Sequence, residues 1–156
     1  MFGAVVAKGA ISVSARILFL CTGNACRSQM AEGWARALAR PDLEILSAGI
    51  EAHGLNPSAT KAMKEAGVDI SHQQSTLIHD VEIRTLDIVI TVCGHADEAC
   101  PVLPPSVLKR HWPLSDPARA TGEAAKVEAV FRASRDDIKA RVVDLLEEFD
   151  WLAPSA

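Results

Sequence analysis

The sequence predicts an α/β domain, a doubly wound four-stranded parallel sheet with helices on both faces. Three observations carry that expectation. Short apolar runs alternate with helical patterns along the chain, the signature of strands joined by helical crossovers. The first run, Ile17-Leu18-Phe19-Leu20, is continuously apolar, as a strand buried on both faces of a parallel sheet must be. Polar segments rich in reactive side chains stand directly after three of the runs, where ligands bind on such sheets.

The elements follow in order. Residues 17–20 form the first strand and 28–40 the first helix, with Met30, Trp34 and Leu38 recurring every four residues beside small Ala31 and Ala35. That stripe packs on a sheet, and Pro41-Asp42 ends it. Residues 43–47 read as the second strand and 48–55 as a loop with two glycines. Asn56-Pro57 is a cap followed by a first-turn proline; the helix it opens runs to Ala66 and stops at Gly67, a left-handed C-terminal position. Residues 71–85 are mixed and polar, with one short helix expected over 77–84. The third strand covers 86–92, a polar and mobile segment 93–100, the fourth strand 107–112, and a last helix 124–149. In that helix Val127, Phe131, Ile138, Val142, Leu145 and Phe149 share one face. Trp34, Trp112 and Trp151 read as core or sheet-edge anchors.

Composition sets the bounds. A chain of 156 residues with 49% hydrophobic and 23% charged residues suits one globular domain, assigned here to 16–156. Residues 1–15 read as a disordered or loosely attached extension: they lack a basic leader region and any run of the ~20 apolar residues a membrane span needs. A net charge of −4 gives nucleic-acid binding no electrostatic support. A cytoplasmic monomer with no membrane attachment is expected. Four cysteines without a secretory leader argue against a structural disulfide framework. The five histidines show no metal spacing, and no metal site is expected.

The chemistry concentrates in Cys21-Thr22-Gly23-Asn24-Ala25-Cys26-Arg27-Ser28, a Cys-x5-Arg-Ser pattern between a strand and a helix start. A loop of this build wraps a tetrahedral oxyanion. Amides at a helix N-terminus point inward and the helix dipole favours negative charge. Arg27 can fork two donors onto two anion oxygens. The same positive setting favours Cys21 as a thiolate nucleophile, and the Ser28 hydroxyl can hydrogen-bond its sulfur. Thr22, Gly23, Asn24, Ala25 and Cys26 supply backbone donors, with Gly23 suited to a tight turn and Asn24 to a left-handed conformation. The competing reading is a buried structural cysteine beside a surface arginine.

Asp116, after the fourth strand, is the candidate general acid, since displacing an oxygen requires protonating the leaving group; the competing reading is a turn-forming Asp-Pro. Cys93 and Cys100 stand seven apart after the third strand. They read as two small hydrophobes, a zinc pair of poor spacing, or a redox pair. The polar segment between them argues against burial. In the redox reading Cys93 attacks a Cys21 sulfur adduct and Cys100 then attacks Cys93. Cys26 reads as structural, with an off-pathway disulfide to Cys21 as its other option.

Four segments, CTGNACRSQMAEGW from Cys21, SAGIEAHGLNP from Ser47, VCGHADEACPVLPP from Val92 and HWPLSDPA from His111, resemble thioredoxin-coupled arsenate reductases built on the low-molecular-weight tyrosine phosphatase fold. The likeness covers the chain from about Arg16. It implies that Cys21 attacks arsenate, that Asp116 protonates the departing oxygen, and that Cys21–Cys93 and then Cys93–Cys100 disulfides form, the last reduced by thioredoxin. Some family members bind potassium beside the loop; the matching positions are Asn24, Glu32, Ser47 and Thr76, where Thr76 replaces a carboxylate, so no cofactor is expected. The runner-up is a phosphatase acting on phosphate monoesters, although the chain has no tyrosine to flank such a substrate. A non-enzymatic thiol sensor is a third reading.

Overall fold

The computed structural model describes residues 15–154. The extension assigned to 1–15 lies outside the described residues except for Ala15, which is buried and accepts the Glu44 N–H at 3.0 Å. Four parallel strands, β1 (Arg16–Cys21), β2 (Glu44–Gly49), β3 (Ile88–Thr91) and β4 (Leu108–His111), form one sheet in the order β2-β1-β3-β4. The central strands β1 and β3 are buried on both faces, as continuous apolar runs require. The crossover from β1 to β2 runs one way along the sheet and that from β3 to β4 the other. Right-handed connections therefore place α1 (Arg27–Leu38) and α3 (Gly94–Ala99) on opposite faces.

Local chemistry explains the helix limits. The Asn56 side chain accepts the Ser58 and Ala59 amides at 2.8 and 3.1 Å and opens α2 (Pro57–Glu65), and Gly67 adopts φ +88° after its end. Helix α1 stops two residues earlier than expected: Ala39 turns extended and forms an antiparallel bridge with Leu152. In α4 (Ala124–Glu148) the predicted face buries Phe131, Ile138, Val142 and Leu145. Trp34 and Trp151 are buried, and Trp112 packs on Phe19 with ring centroids 5.8 Å apart.

Three expectations need correction. The single helix over 77–84 is two 3-10 turns, Ile78–Asp80 and Ile83–Thr85. Ala48 and Gly49 belong to β2, not to the loop after it. The segment after β3 is not an irregular polar stretch. It is the helix α3, and Cys93 beside it is buried. Ala96, on the inner side of that helix, is fully buried, so one small residue suffices to seat an otherwise polar turn on the sheet.

Register places the site. Leu20 pairs with Thr91, Thr91 with His111, and Cys21 with Gly49. The carboxyl ends of all four strands are thus level at one edge. Among the described residues no helix is long and apolar enough to cross a membrane.

Candidate active site

The loop between β1 and α1 is fixed from outside. Cys21 O accepts Ile50 N at 3.1 Å, Thr22 O accepts Glu51 N at 2.7 Å, Gly23 O accepts His53 N at 2.9 Å and Ala25 O accepts Asn56 N at 3.0 Å. Asn24 O accepts Gln29 Nε2 at 3.0 Å and Ser75 Oγ at 2.7 Å, and Cys26 O accepts Met30 N at 2.9 Å. Each carbonyl from Cys21 to Cys26 therefore has an outward partner. In a trans peptide the next N–H points the opposite way, so the amides of residues 22–27 turn to the inside of the loop. Asn24 stands at φ +49°, a left-handed conformation that Asn tolerates. Its buried amide spans three partners: Nδ2 donates to Ser28 Oγ at 2.8 Å and Ser47 Oγ at 2.9 Å, and Oδ1 accepts Thr76 N at 2.8 Å. Gly49 lies under the loop, where a Cβ would strike the carbonyl oxygens of Glu51 and Thr22 and the amide of Asn24.

Inside the loop the Cys21 sulfur lies 2.8 Å from Ser28 Oγ and accepts the Asn24 N–H at 3.2 Å. Arg27 is buried; one terminal nitrogen donates to Leu114 O at 3.1 Å, and the other stands 3.6 Å from Asp116 Oδ2. Its Nε–H is buried without a partner among the described residues. An unpaired buried donor on a cation is costly, and an oxyanion between Cys21 and Arg27 would satisfy it. Asp116 Oδ1 accepts the Ala118 N–H at 3.0 Å, which fixes the carboxylate against the Arg27 side of the loop. A cavity of about 380 Å³ opens over the loop, with Cys21, Arg27, His53 and Asp116 in its walls.

Cys93 borders the same site from the neighbouring strand. Its sulfur lies 3.1 Å from Thr22 Oγ1 and accepts the Ala96 N–H at 3.3 Å, as the cap of α3. A second cavity joins Cys93 to Thr22, Arg27 and Asp116. Cys100 flanks the other end of α3, half-buried, and burial pushes its thiol pKa up, opposed by Lys109. Cys26 is packed beneath the loop; burial, with Asp116 and Cys21 adding to it, pushes its thiol up to about 12. All four cysteines are free.

The structure thus gathers Cys21, the residues from Thr22 to Ser28, Cys93 and Asp116 at one edge, and leaves Cys100 one short helix away. Residues 50–55 had been read as a plain loop and Asn56 as a helix cap, yet the backbone amides of Ile50, Glu51, His53 and Asn56 hold four of the loop's carbonyls. The sequence of residues 50–56, IEAHGLN, carried the Asn56 cap and part of a segment that resembles the family, but no sign that its backbone amides tie down the loop. The four positions matched to a potassium site meet beneath the loop in a hydrogen-bonded chain. Glu32 accepts Ser47 Oγ at 2.5 Å and the Arg36 guanidinium at 2.7 Å, and Asn24 Oδ1 holds the Thr76 amide. Arg36 also brings a positive charge to Glu32. Among the described residues no cluster of three or more His, Cys, Asp or Glu side chains could hold a metal.

The family model for low molecular weight phosphotyrosine protein phosphatase matches residues 16–151, spanning all four strands and the loop. The chain belongs to that family. Within the phosphatase family its curated relatives include the arsenate reductase of Bacillus subtilis (strain 168), 51% identical over 131 residues, which cover 84% of this chain and 94% of the relative. A solved arsenate reductase in the phosphate-binding state superposes with a TM-score of 0.72 at 34% identity, covering 86% of this chain and 98% of the other. The thioredoxin-dependent arsenate reductase of Corynebacterium glutamicum gives a TM-score of 0.70 at 28% identity, over 87% of this chain and 62% of that one.

Proposed function

We propose that this protein reduces arsenate to arsenite through a relay of three cysteines, with thioredoxin as the reductant that restores it. The observation that carries the reading is the second thiol: Cys93 stands beside Thr22, in a cavity it shares with Arg27 and Asp116. Oxyanion binding and displacement need only Cys21, Arg27 and Asp116. A further buried thiol at that edge supplies what displacement lacks, a route for two electrons.

In the first step the Cys21 thiolate attacks arsenic. An As–O bond breaks, and Asp116 gives the departing oxygen its proton. The inward amides and Arg27 hold the charge on the remaining oxygens. Cys93 then attacks the Cys21 sulfur. The S–As bond breaks with its electron pair left on arsenic, so As(V) becomes As(III) and the two thiols become a Cys21–Cys93 disulfide. Cys100 next attacks Cys93, the Cys93–Cys100 bond forms, and Cys21 leaves as thiolate. A dithiol such as reduced thioredoxin takes the last disulfide. The curated relatives named arsenate reductase and the thioredoxin-dependent structural neighbour support arsenate and thioredoxin as the partners.

The test is arsenate-dependent NADPH oxidation with thioredoxin and thioredoxin reductase. Wild type is expected to turn over. Cys93→Ser and Cys100→Ser are each expected to lose at least about 10³-fold in steady state while keeping aryl-phosphate hydrolysis, which needs only the loop and Asp116. No arsenate-dependent oxidation by the fully reduced enzyme sinks the reading. Aryl-phosphate turnover without arsenate turnover would favour the phosphatase alternative.

A further inference from the structure

Helix α3 separates the two outer cysteines. Seven residues at about 1.5 Å rise put Cys93 and Cys100 some 10 Å apart along the helix, whereas a disulfide needs Cα atoms within about 7 Å. The helix must therefore open for Cys100 to reach Cys93. A helix of six residues has no stability of its own, so what keeps it closed is its attachment to the sheet. Two attachments are present. Ala96 is buried against the core. Asp97 is the α3 side chain, among the described residues, that bonds to the strands: its Oδ1 meets Lys109 Nζ at 2.9 Å and accepts Thr91 Oγ1 at 3.2 Å. Lys109 Nζ also reaches the Asp97 carbonyl at 3.3 Å. His111 Nδ1, 2.8 Å from Thr91 Oγ1, completes the cluster 3.9 Å from Asp97.

We propose that Asp97, with Lys109 and Thr91, is the latch that holds α3 wound and thereby sets how readily the Cys93–Cys100 disulfide forms. Asp97 is then a positioning residue for the relay; it touches none of the reacting atoms. This rests on the relay proposed above. The latch exists only while α3 is wound, so it stabilises the dithiol and not the disulfide. The Lys109 hydrogen bond holds the Asp97 carboxyl below the ordinary range, in keeping with a formed contact. Closure also keeps Cys100 half-buried, which pushes its thiol pKa up, and opening frees the thiol together with its reach.

The reduction equilibrium of Cys93–Cys100 tests this. Full-length protein is equilibrated in reduced and oxidised dithiothreitol mixtures, each disulfide taking two electrons and two protons from the dithiol. The Cys93–Cys100 bridge is then quantified by differential alkylation and peptide mass spectrometry, with cooperative thermal unfolding as the check on folding. Asp97→Asn and Lys109→Met are each expected to shift the equilibrium constant toward the disulfide by up to about fivefold, as for a part-exposed ion pair; that is roughly 20 mV for a two-electron couple. The double variant is expected to shift no further than the larger single effect, because both remove the same contact. Unchanged constants, a shift toward the dithiol, or single effects that add in the double variant would overturn the latch. If the wild type forms no Cys93–Cys100 disulfide in any mixture, the relay itself falls. If it forms one that the variants leave unmoved, only the latch falls.

Discussion

The Cys21 loop and the Cys93–Cys100 segment leave adjacent strands of one sheet at the same edge, and they are held in different ways. From Cys21 to Cys26 each carbonyl is bonded outward and the side chain of Asn24 is tied to three partners. The α3 helix rests on one buried alanine and one carboxylate. A site that stabilises charge works by not rearranging when charge develops. A disulfide relay works only if its sulfurs travel. The chain spends its hydrogen bonds where geometry must not change and withholds them where it must.

The sharpest way to break this comparison is to disturb charge recognition without disturbing the frame. Arg27→Lys keeps a cation but loses the planar fork, the Leu114 contact geometry and the unpaired Nε donor. We expect arsenate turnover per unit KM to fall by about 10²–10³-fold, read in the coupled NADPH assay, with α3 unaffected. The Cys93–Cys100 equilibrium in dithiothreitol should stay at the wild-type value, and a parallel shift would mean that the two segments are not independent.

A second substitution attacks the frame itself. Asn24→Ala removes three buried hydrogen bonds and leaves at φ +49° a residue without the polar side chain by which Asn tolerates that conformation. Destabilisation by about 3 kcal/mol is expected from denaturant unfolding. Asn24→Gly accepts the backbone conformation and should regain part of that loss but none of the side-chain bonds. Equal stability of the two variants would mean that backbone conformation contributes nothing at this position.

How much of this was legible in the sequence divides along the same line. Cys21, Arg27 and Ser28 announce themselves because strand, loop and helix start are read from local periodicity, and their spacing is fixed within one connection. Cys93 and Asp116 were placed at the same edge because each follows a strand of a parallel sheet. What stayed hidden depends on contacts between distant segments. Four of the loop's six outward-bonded carbonyls are held by residues 50–56 through backbone donors, which leave no mark in side-chain identity. The helical state of residues 94–99 was missed because so short a segment has little periodicity to read. Ala96, packed on the core, Asp97, meeting Lys109 and Thr91, and the Cys93 sulfur, capping the first turn, give it a reason to wind.

The smallest expected effect concerns Cys26, which lies in the rigid segment and takes no step in the proposed relay. Burial raises its thiol pKa from 9.0 to about 12. A folded-state pKa above the unfolded one means that the unfolded chain loses the proton first. The stability that goes with the neutral thiol is fully present below about pH 9 and is lost as pH climbs through 9 toward 12. Cys26→Ala removes that dependence. Under reducing conditions its stability relative to wild type should be constant from pH 7 to 8.5 and then improve steadily up to the highest pH at which both still fold. Native alkylation at pH 8 should likewise label Cys26 last of the four cysteines, since little thiolate is available there. A stability difference that stays flat through pH 11 would mean that Cys26 is solvated in the folded protein, and that the loop is less firmly packed from beneath than its hydrogen bonds suggest.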